Sequence, residues 1–169
     1  MLKSEKFKYI ERPHQSRGAF DIQNDRGELV ARTEGISIKK RYISYNSLES
    51  EMNLQIWKRP KGKFLFLDGE NLFSNFQLVE WWTVNRLQLR THTSELLFFN
   101  SEDFTKTYRI YRGKWNQIGQ LSCSNWHSEN VHLEVVENTY LTEIHCAIIA
   151  LIYYRQYRFL SFFETKSVN

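Results

Sequence analysis

The sequence of 169 residues contains only two cysteines, Cys123 and Cys146, with no recurring cysteine spacing. This excludes a disulfide framework, and we expect two buried or partly buried free thiols in a reducing cytoplasm. The segment MLKSEKFKYI has no apolar core after its lysines, so it does not have the pattern of a secretory signal. We therefore predict a cytoplasmic protein. If it binds membrane lipid, as considered below, it lies peripherally at the inner membrane face.

Long hydrophobic runs are also missing. Every residue from Cys146 to Tyr154 is apolar or aromatic, but this stretch covers only nine residues and is flanked by Glu143, His145 and Arg155. A membrane-spanning helix needs about 20 predominantly apolar residues. We therefore expect no transmembrane span.

Common catalytic motifs are absent, including a glycine-rich phosphate loop, a Gly-x-Ser-x-Gly elbow and a His-Glu-x-x-His pair. Cys123, His127 and His132 form one candidate metal set, but their spacing matches no standard zinc signature. Cys146 and His145 suggest a nucleophile pair, yet adjacent residues of a helix do not face each other. We expect no enzyme, no metal and no cofactor, and we interpret His145 as a hydrogen-bonded core residue.

Aromatic residues are abundant, at 15% of the sequence, and the net charge is +4. Aromatic side chains fit a pleated, half-buried surface, so the composition favours β-sheet. The mild basic excess permits an anionic partner without requiring one. RNA binding would need aromatic residues exposed on a sheet, whereas a barrel core would bury many of them, so we expect no nucleic-acid partner.

Short apolar alternations occupy the chain from about residue 5 to residue 137, separated by turn signals such as DRG, PKG and DGEN. This spacing is typical of an antiparallel sheet or barrel. No strand in the series is followed by a long helical pattern, which argues against a doubly wound α/β fold.

One short pattern occurs twice, as AFDIQNDRGELVART and as TYRIYRGKWNQIGQL. When Phe20 is aligned with Tyr108, Ile22 falls opposite Ile110 and Ala31 falls opposite Gly119. Each copy predicts a β-hairpin with a glycine in its turn. Two interpretations remain open: a general similarity of hairpins, or a fold built from two similar halves.

The periodicity changes at Tyr140, after which the chain has no glycine or proline through Phe163. A helical stripe forms first, and the run from Cys146 to Tyr154 is then apolar on every side. Such a helix must be buried all round, and the centre of a closed β-barrel provides that environment. We predict a mainly β single domain over 1–169: a closed antiparallel barrel of two pseudo-repeated halves, with strands over about 5–137 and a buried hydrophobic C-terminal helix along its axis over about 140–157.

This arrangement resembles the tubby C-terminal-like superfamily, which includes the tubby domain, phospholipid scramblases and the LURP-one-related proteins. The resemblance rests on the two hairpin patterns and on VHLEVVENTYLTEIHCAIIALI, which looks like the family's last strand leading into its central helix. The C-terminal signature of true tubby proteins is absent. LURP-one relatives often carry an acidic residue after the apolar part of this helix, but here Leu151 and Ile152 are followed directly by Tyr153 and Tyr154. The chain is therefore most similar to a remote bacterial-type member, LURP-one-related or scramblase-like.

The densest basic stretch is WKRPKGK, which combines Trp57 with Lys58, Arg59, Lys61 and Lys63. Such a turn can bind a phosphate by charge and donated hydrogen bonds, with the tryptophan at a membrane interface. The alternative is a solvated turn whose lysines protect an edge strand.

A second candidate is KKRY, where Lys39 and Arg41 would point to the same side of a strand. Tubby domains bind phosphoinositide headgroups through a Lys-x-Arg pair on a strand, and the resemblance implies this role for Lys39 and Arg41.

The sequence therefore favours a non-enzymatic binding module whose partner is anionic membrane lipid or an unidentified protein. A lipocalin-like carrier of a small hydrophobic ligand is the first alternative, because RGKW contains a Gly-x-Trp. A carrier keeps its lumen empty and its helix outside, whereas the predicted barrel is filled by its own helix. A protein-interaction scaffold is the second alternative.

Overall fold

The computed structural model describes residues 3–12, 18–37, 39–80, 85–100, 107–123 and 131–167. Twelve antiparallel strands form a closed barrel, and one helix follows them in the chain. Each strand pairs with its neighbours in sequence, and β1 pairs with β12 to close the ring. The elements are β1 (Glu5–Glu11), β2 (Phe20–Asn24), β3 (Leu29–Glu34), β4 (Ile43–Ser47), β5 (Asn53–Arg59), β6 (Lys63–Asp68), β7 (Asn71–Glu80), β8 (Asn85–Arg90), β9 (Glu95–Asn100), β10 (Thr107–Arg112), β11 (Asn116–Cys123), β12 (Val131–Val135) and α1 (Leu141–Ser167).

The strands form because their side chains alternate between the core and the outer wall. In β6, Phe64 and Phe66 are buried, whereas the alternate residues Lys63, Leu65 and Leu67 are exposed or half-buried. The same alternation recurs in β12, where every second residue is buried. Since successive residues of a strand point to opposite faces, this pattern lines the interior of a barrel with apolar side chains. The sequence prediction of a mainly β, closed antiparallel barrel is confirmed.

The two hairpins with similar sequences are β2–β3 and β10–β11, one in each half of the chain. Both contain a register shift at the same aligned position, after Ile22 in the first and after Ile110 in the second. Ile22 pairs with Ala31, and Ile110 pairs with Gly119, so residues that are aligned in sequence form equivalent pairs. The likeness therefore extends to an irregularity of the backbone, which general similarity between hairpins does not require.

The helix lies inside the barrel. Each residue from Cys146 to Ile152 is at most 1% exposed. Its residues meet several strands of the ring: His145 contacts Tyr9 of β1 and Tyr45 of β4, Arg155 lies next to Tyr108 of β10, and the helix also approaches β8. The prediction of a buried axial helix is confirmed.

The two ends of the barrel are distinguished by the direction of the helix. We call the end where β12 stops and α1 begins the lower end, and the end where Gln156 reaches Glu11, the last residue of β1, the upper end.

The helix continues to Ser167, which corrects the predicted end near residue 157. The reason is local, because residues 158–167 contain no glycine or proline to stop it. Within the described residues, no helix combines the length and apolar character that a membrane crossing requires.

The enclosed helix contributes much of the core. At most 1% of the surface is exposed in Ile148, Ile149, Leu151 and Ile152. Full burial of such a side chain stabilises a protein by about 1.5–3 kcal/mol. The facing layer comes from the inward side chains of the strands, and seven of the largest fully buried ones are aromatic: Tyr9, Tyr45, Phe20, Phe64, Phe66, Phe76 and Phe98. Helix and barrel therefore form one hydrophobic core.

We predict that Leu151→Ala lowers the free energy of unfolding by about 2–5 kcal/mol, because it leaves a cavity between the helix and the barrel wall. Leu48→Ala is the matched control, since Leu48 lies in a turn with 56% of its surface exposed. Urea denaturation followed by circular dichroism measures both. Equal losses for the two variants would contradict the enclosure of the helix.

Candidate functional site

The turn between β5 and β6 projects the main basic cluster from the upper end of the barrel. Arg59 and Lys63 form the last pair of the ladder, and residues 60–62 make the turn. Lys61 and Gly62 both adopt left-handed backbone angles, with φ of 63° and 69°. The Leu78 backbone N–H donates a hydrogen bond of 3.0 Å to the carbonyl of Gly62, which ties the turn to β7. Lys61 at the tip is thus exposed on a supported backbone.

Trp57 connects this turn to the preceding loop. Its ring lies 5.1 Å from the ring of Tyr42, measured between centroids, and the two planes are tilted by 33°. Its indole N–H donates to Gln55 Oε1 over 3.0 Å. The Tyr42 ring also has a cation close to it, because Lys40 Nζ lies 5.1 Å from the ring centroid. Stacking of this kind fixes the positions of the two upper-end segments relative to each other.

Lys39 and Arg41 do not lie on a strand, which corrects the sequence prediction. Ser37 and Lys40 form an isolated antiparallel bridge, so Lys39 sits in the tight turn that this bridge closes. Arg41 follows the bridge, and regular pairing starts only at Ile43. The argument that the two side chains share one strand face therefore fails, although both side chains are exposed at the upper end.

We call the set of predicted residues at the upper end the basic rim. It comprises Lys39, Arg41, Trp57, Lys58, Arg59, Lys61 and Lys63. Trp57 and Lys58 are half-buried, and the other five are exposed. In the described part of the chain, none of those five forms an ion pair with a carboxylate, whereas neighbouring Lys40 lies 3.9 Å from Glu34. The structure thus brings the two predicted basic stretches, from two adjacent connections, to one end of the barrel.

The closed ring excludes the protection of a sheet edge as the reason for these lysines. β5 pairs with β4 and β6, and β6 pairs with β5 and β7. Neither strand has a free edge, so cations are not needed here to prevent edge-to-edge association. Exposed lysine and arginine side chains at this position remain available for an anionic partner.

Polar groups also occur inside the barrel, around the first turns of the helix. The Tyr9 hydroxyl lies 2.5 Å from His145 Nδ1 in a buried hydrogen bond. Phe7 packs edge-on against the same imidazole, with 4.9 Å between ring centroids. Burial lowers the pKa of His145 to about 3, so the imidazole is uncharged at neutral pH. Its interpretation as a hydrogen-bonded core residue is confirmed.

Glu143 is the polar residue that sequence reasoning missed. It is buried in the first turn of α1, and its Oε2 has no hydrogen-bond partner among the described residues. Burial raises the pKa of Glu143 to about 7. The only sequence signal was an acidic residue next to an apolar helical run, which is also the usual composition of a solvated first turn.

The other candidates for chemistry are separated by the fold. Cys123 points into the core and His132 lies exposed on the outer wall, so these two do not share a metal ion. His127 lies outside the described residues. Cys146 is fully buried, and burial raises the pKa of its thiol well above the ordinary value. A buried thiol with a raised pKa is a poor nucleophile.

No family model matches this chain, and no curated protein matches it. Among solved structures, the X-ray structure of a protein from Arabidopsis thaliana is similar, with a TM-score of 0.64 and 11% sequence identity. The similarity covers 89% of this chain and 90% of the Arabidopsis chain. At this identity the likeness shows the fold alone.

We predict that Glu143→Gln stabilises the protein at high pH. Because the folded pKa is about 7 and the usual value is 4.5, the folded state keeps a proton that the unfolded state loses, so the contribution of Glu143 to stability falls between about pH 4.5 and pH 7. Relative to the parent, Glu143→Gln should raise Tm by about 2–4 °C at pH 8 and change it little at pH 4.

Thermal unfolding at the two pH values tests this prediction. Glu70→Gln is the matched control, since Glu70 is exposed in the turn between β6 and β7, and it should change Tm little at either pH. A gain for Glu143→Gln that is the same at pH 4 and pH 8 would show that the carboxyl does not titrate in this range.

Proposed function

We propose that this chain is a non-enzymatic, tubby-like binding module that associates with anionic phospholipid headgroups at the inner membrane surface through its basic rim. The observation that carries the proposal is the grouping of five exposed cations around the Tyr42–Trp57 stack at one end of the barrel. The resemblance of the sequence to the tubby C-terminal-like superfamily supports it, and the similarity to the Arabidopsis protein supports the barrel fold on which that resemblance rests.

The chemistry of the rim suits a weak electrostatic association. Each lysine or arginine near an anionic membrane surface contributes about 1 kcal/mol, so five cations give a measurable attraction that salt screens. Trp57 adds a half-buried aromatic ring, a kind of side chain that suits the boundary between apolar and polar layers.

The interior of the barrel argues against the lipocalin-like carrier. Helix α1 occupies the axis, and its side chains from Cys146 to Ile152 are almost completely buried. A cavity of about 210 Å³ lies beside Tyr45 and His145 at the lower end. Sites for small ligands usually have volumes of about 300–1,000 Å³, so this cavity is small for a hydrophobic cargo.

Vesicle co-sedimentation tests the proposal. The protein should bind vesicles that contain phosphatidylserine or a phosphoinositide more strongly than neutral phosphatidylcholine vesicles at low salt, and 0.5 M salt should remove the difference. The triple variant Arg59→Gln, Lys61→Gln, Lys63→Gln should weaken binding to anionic vesicles about tenfold or more, because it removes three rim charges.

A matched triple variant separates the rim from net charge. Lys3→Gln, Arg26→Gln, Lys114→Gln removes the same number and kind of exposed charges, all from the lower end of the barrel. It should leave binding within about twofold of the parent if the rim faces the membrane. Equal binding to neutral and anionic vesicles would reject the membrane function, and a selective loss of a protein partner in the rim variant would favour the scaffold alternative.

A further inference from the structure

A groove of about 370 Å³ lies on the outer wall of the barrel, across β11, β12, β1 and β2. It covers the place where β1 pairs with β12 to close the ring, and the two similar hairpins flank it on either side. Its volume falls within the usual range for small-molecule sites. We call it the seam groove and define it by its polar lining residues: Lys6, Lys8, Asn24, Asp25, Gln120, Ser122, His132 and Glu134.

Strand register arranges the floor of the groove in two rows that run across the strands. In the first row, Gln120 pairs with Glu134, and Glu134 pairs with Lys6. In the second row, Ser122 pairs with His132, and His132 pairs with Lys8. Directly opposed residues of an antiparallel pair have Cβ atoms about 4.5–5.5 Å apart, so each row presents three neighbouring polar side chains.

The second row consists of hydrogen-bond donors. Lys8 supplies an ammonium group, His132 a ring nitrogen and Ser122 a hydroxyl, and Lys6 lies two residues from Lys8 on the same face of β1. Within the described residues, the side chains of Lys6, Lys8, Ser122 and His132 form no hydrogen bond or ion pair. Several unpaired donors that converge on a concavity suit an anion, above all a phosphate with its three acceptor oxygens.

The remaining lining restricts the rest of the ligand. Asp25, Glu134 and the amide oxygen of Gln120 accept hydrogen bonds from hydroxyl groups, whereas the Asn24 side chain is held by Arg26 and Glu28 in its own turn. Phe7 and Leu133, the two apolar residues of the lining, are buried in the core and offer little apolar surface to a ligand. The groove therefore suits a hydroxylated body better than an apolar chain.

We propose that the seam groove binds a small soluble phosphate monoester with a hydroxylated body, the chemical class of a sugar phosphate. The phosphate lies against Lys8, His132 and Ser122, with Lys6 close by, and the hydroxyl groups face Asp25, Glu134 and Gln120. This site is separate from the basic rim, because its β2 side, at Asn24 and Asp25, lies towards the lower end of the barrel, whereas the rim lies at the upper end. The two carboxylates also disfavour a flat anionic membrane at this surface.

The experiment is an NMR titration of the ¹⁵N-labelled full chain with ribose 5-phosphate, with inorganic phosphate and ribose as partial probes. We expect saturable shifts of amide signals from β1, β11 and β12 with ribose 5-phosphate, weaker effects with phosphate, and none with ribose. Lys8→Gln should weaken binding about tenfold or more, because it removes a charge-assisted contact. Lys114→Gln, an exposed cation outside the groove, is the control and should change the affinity less than twofold.

Two outcomes would overturn the proposal. The first is the absence of saturable shifts in the groove strands up to about 10 mM ribose 5-phosphate, a concentration that detects even millimolar affinity. The second is an unchanged affinity in Lys8→Gln with an intact spectrum. Vesicle binding by Lys8→Gln separates soluble from lipid phosphate: normal vesicle binding supports a soluble ligand, and its loss would assign the groove to lipid headgroups and overturn the soluble class.

Discussion

The structure depends on one constraint, which is that a helix with apolar side chains on every side cannot face water. From Cys146 to Ile152 the helix offers no polar face, so any stable fold has to surround it. A closed ring of strands does this and also removes every sheet edge. The lumen is then filled by protein, which leaves the outer wall and the two ends of the barrel as the surfaces available for binding.

Enclosure also determines the behaviour of the few polar groups inside. The Tyr9–His145 pair satisfies its hydrogen bond across the space between β1 and the helix, so an uncharged imidazole is tolerated in the core. Glu143 has no such partner for Oε2, and the protein keeps its carboxyl partly protonated near neutral pH instead. Both groups lie towards the lower end, where the helix enters the barrel, so these two ionisable side chains are close to its opening.

Much of the fold follows from local patterns in the sequence. Period-two alternation predicts the strands, and the all-round apolar run from Cys146 to Tyr154 predicts a helix inside a closed barrel. The end of the helix at Ser167 was missed because no breaker residue marks it. The family resemblance remains a prediction, since the comparisons show the fold alone.

The binding surfaces were harder to predict from the sequence than the fold. Trp57 and the cations of its turn can be recognised in the sequence. The stack of Trp57 with Tyr42 cannot, because it arises from the pairing of β4 with β5. Lys39 and Arg41 look like alternate strand positions, and only the bridge between Ser37 and Lys40 shows a turn there. The seam groove depends on the pairing of Lys8 with His132, residues so distant in the chain that no local pattern relates them.

The position of α1 has a consequence for how the molecule is assembled during synthesis. All twelve strands leave the ribosome before the segment that fills the space between them. Until Leu141 and the following turns emerge, the inward aromatic rings of the strands have no helix to pack against, and the β1–β12 closure would surround an empty centre. The final barrel therefore has to form after translation has passed the helix, with the nascent strands held loosely enough to admit it.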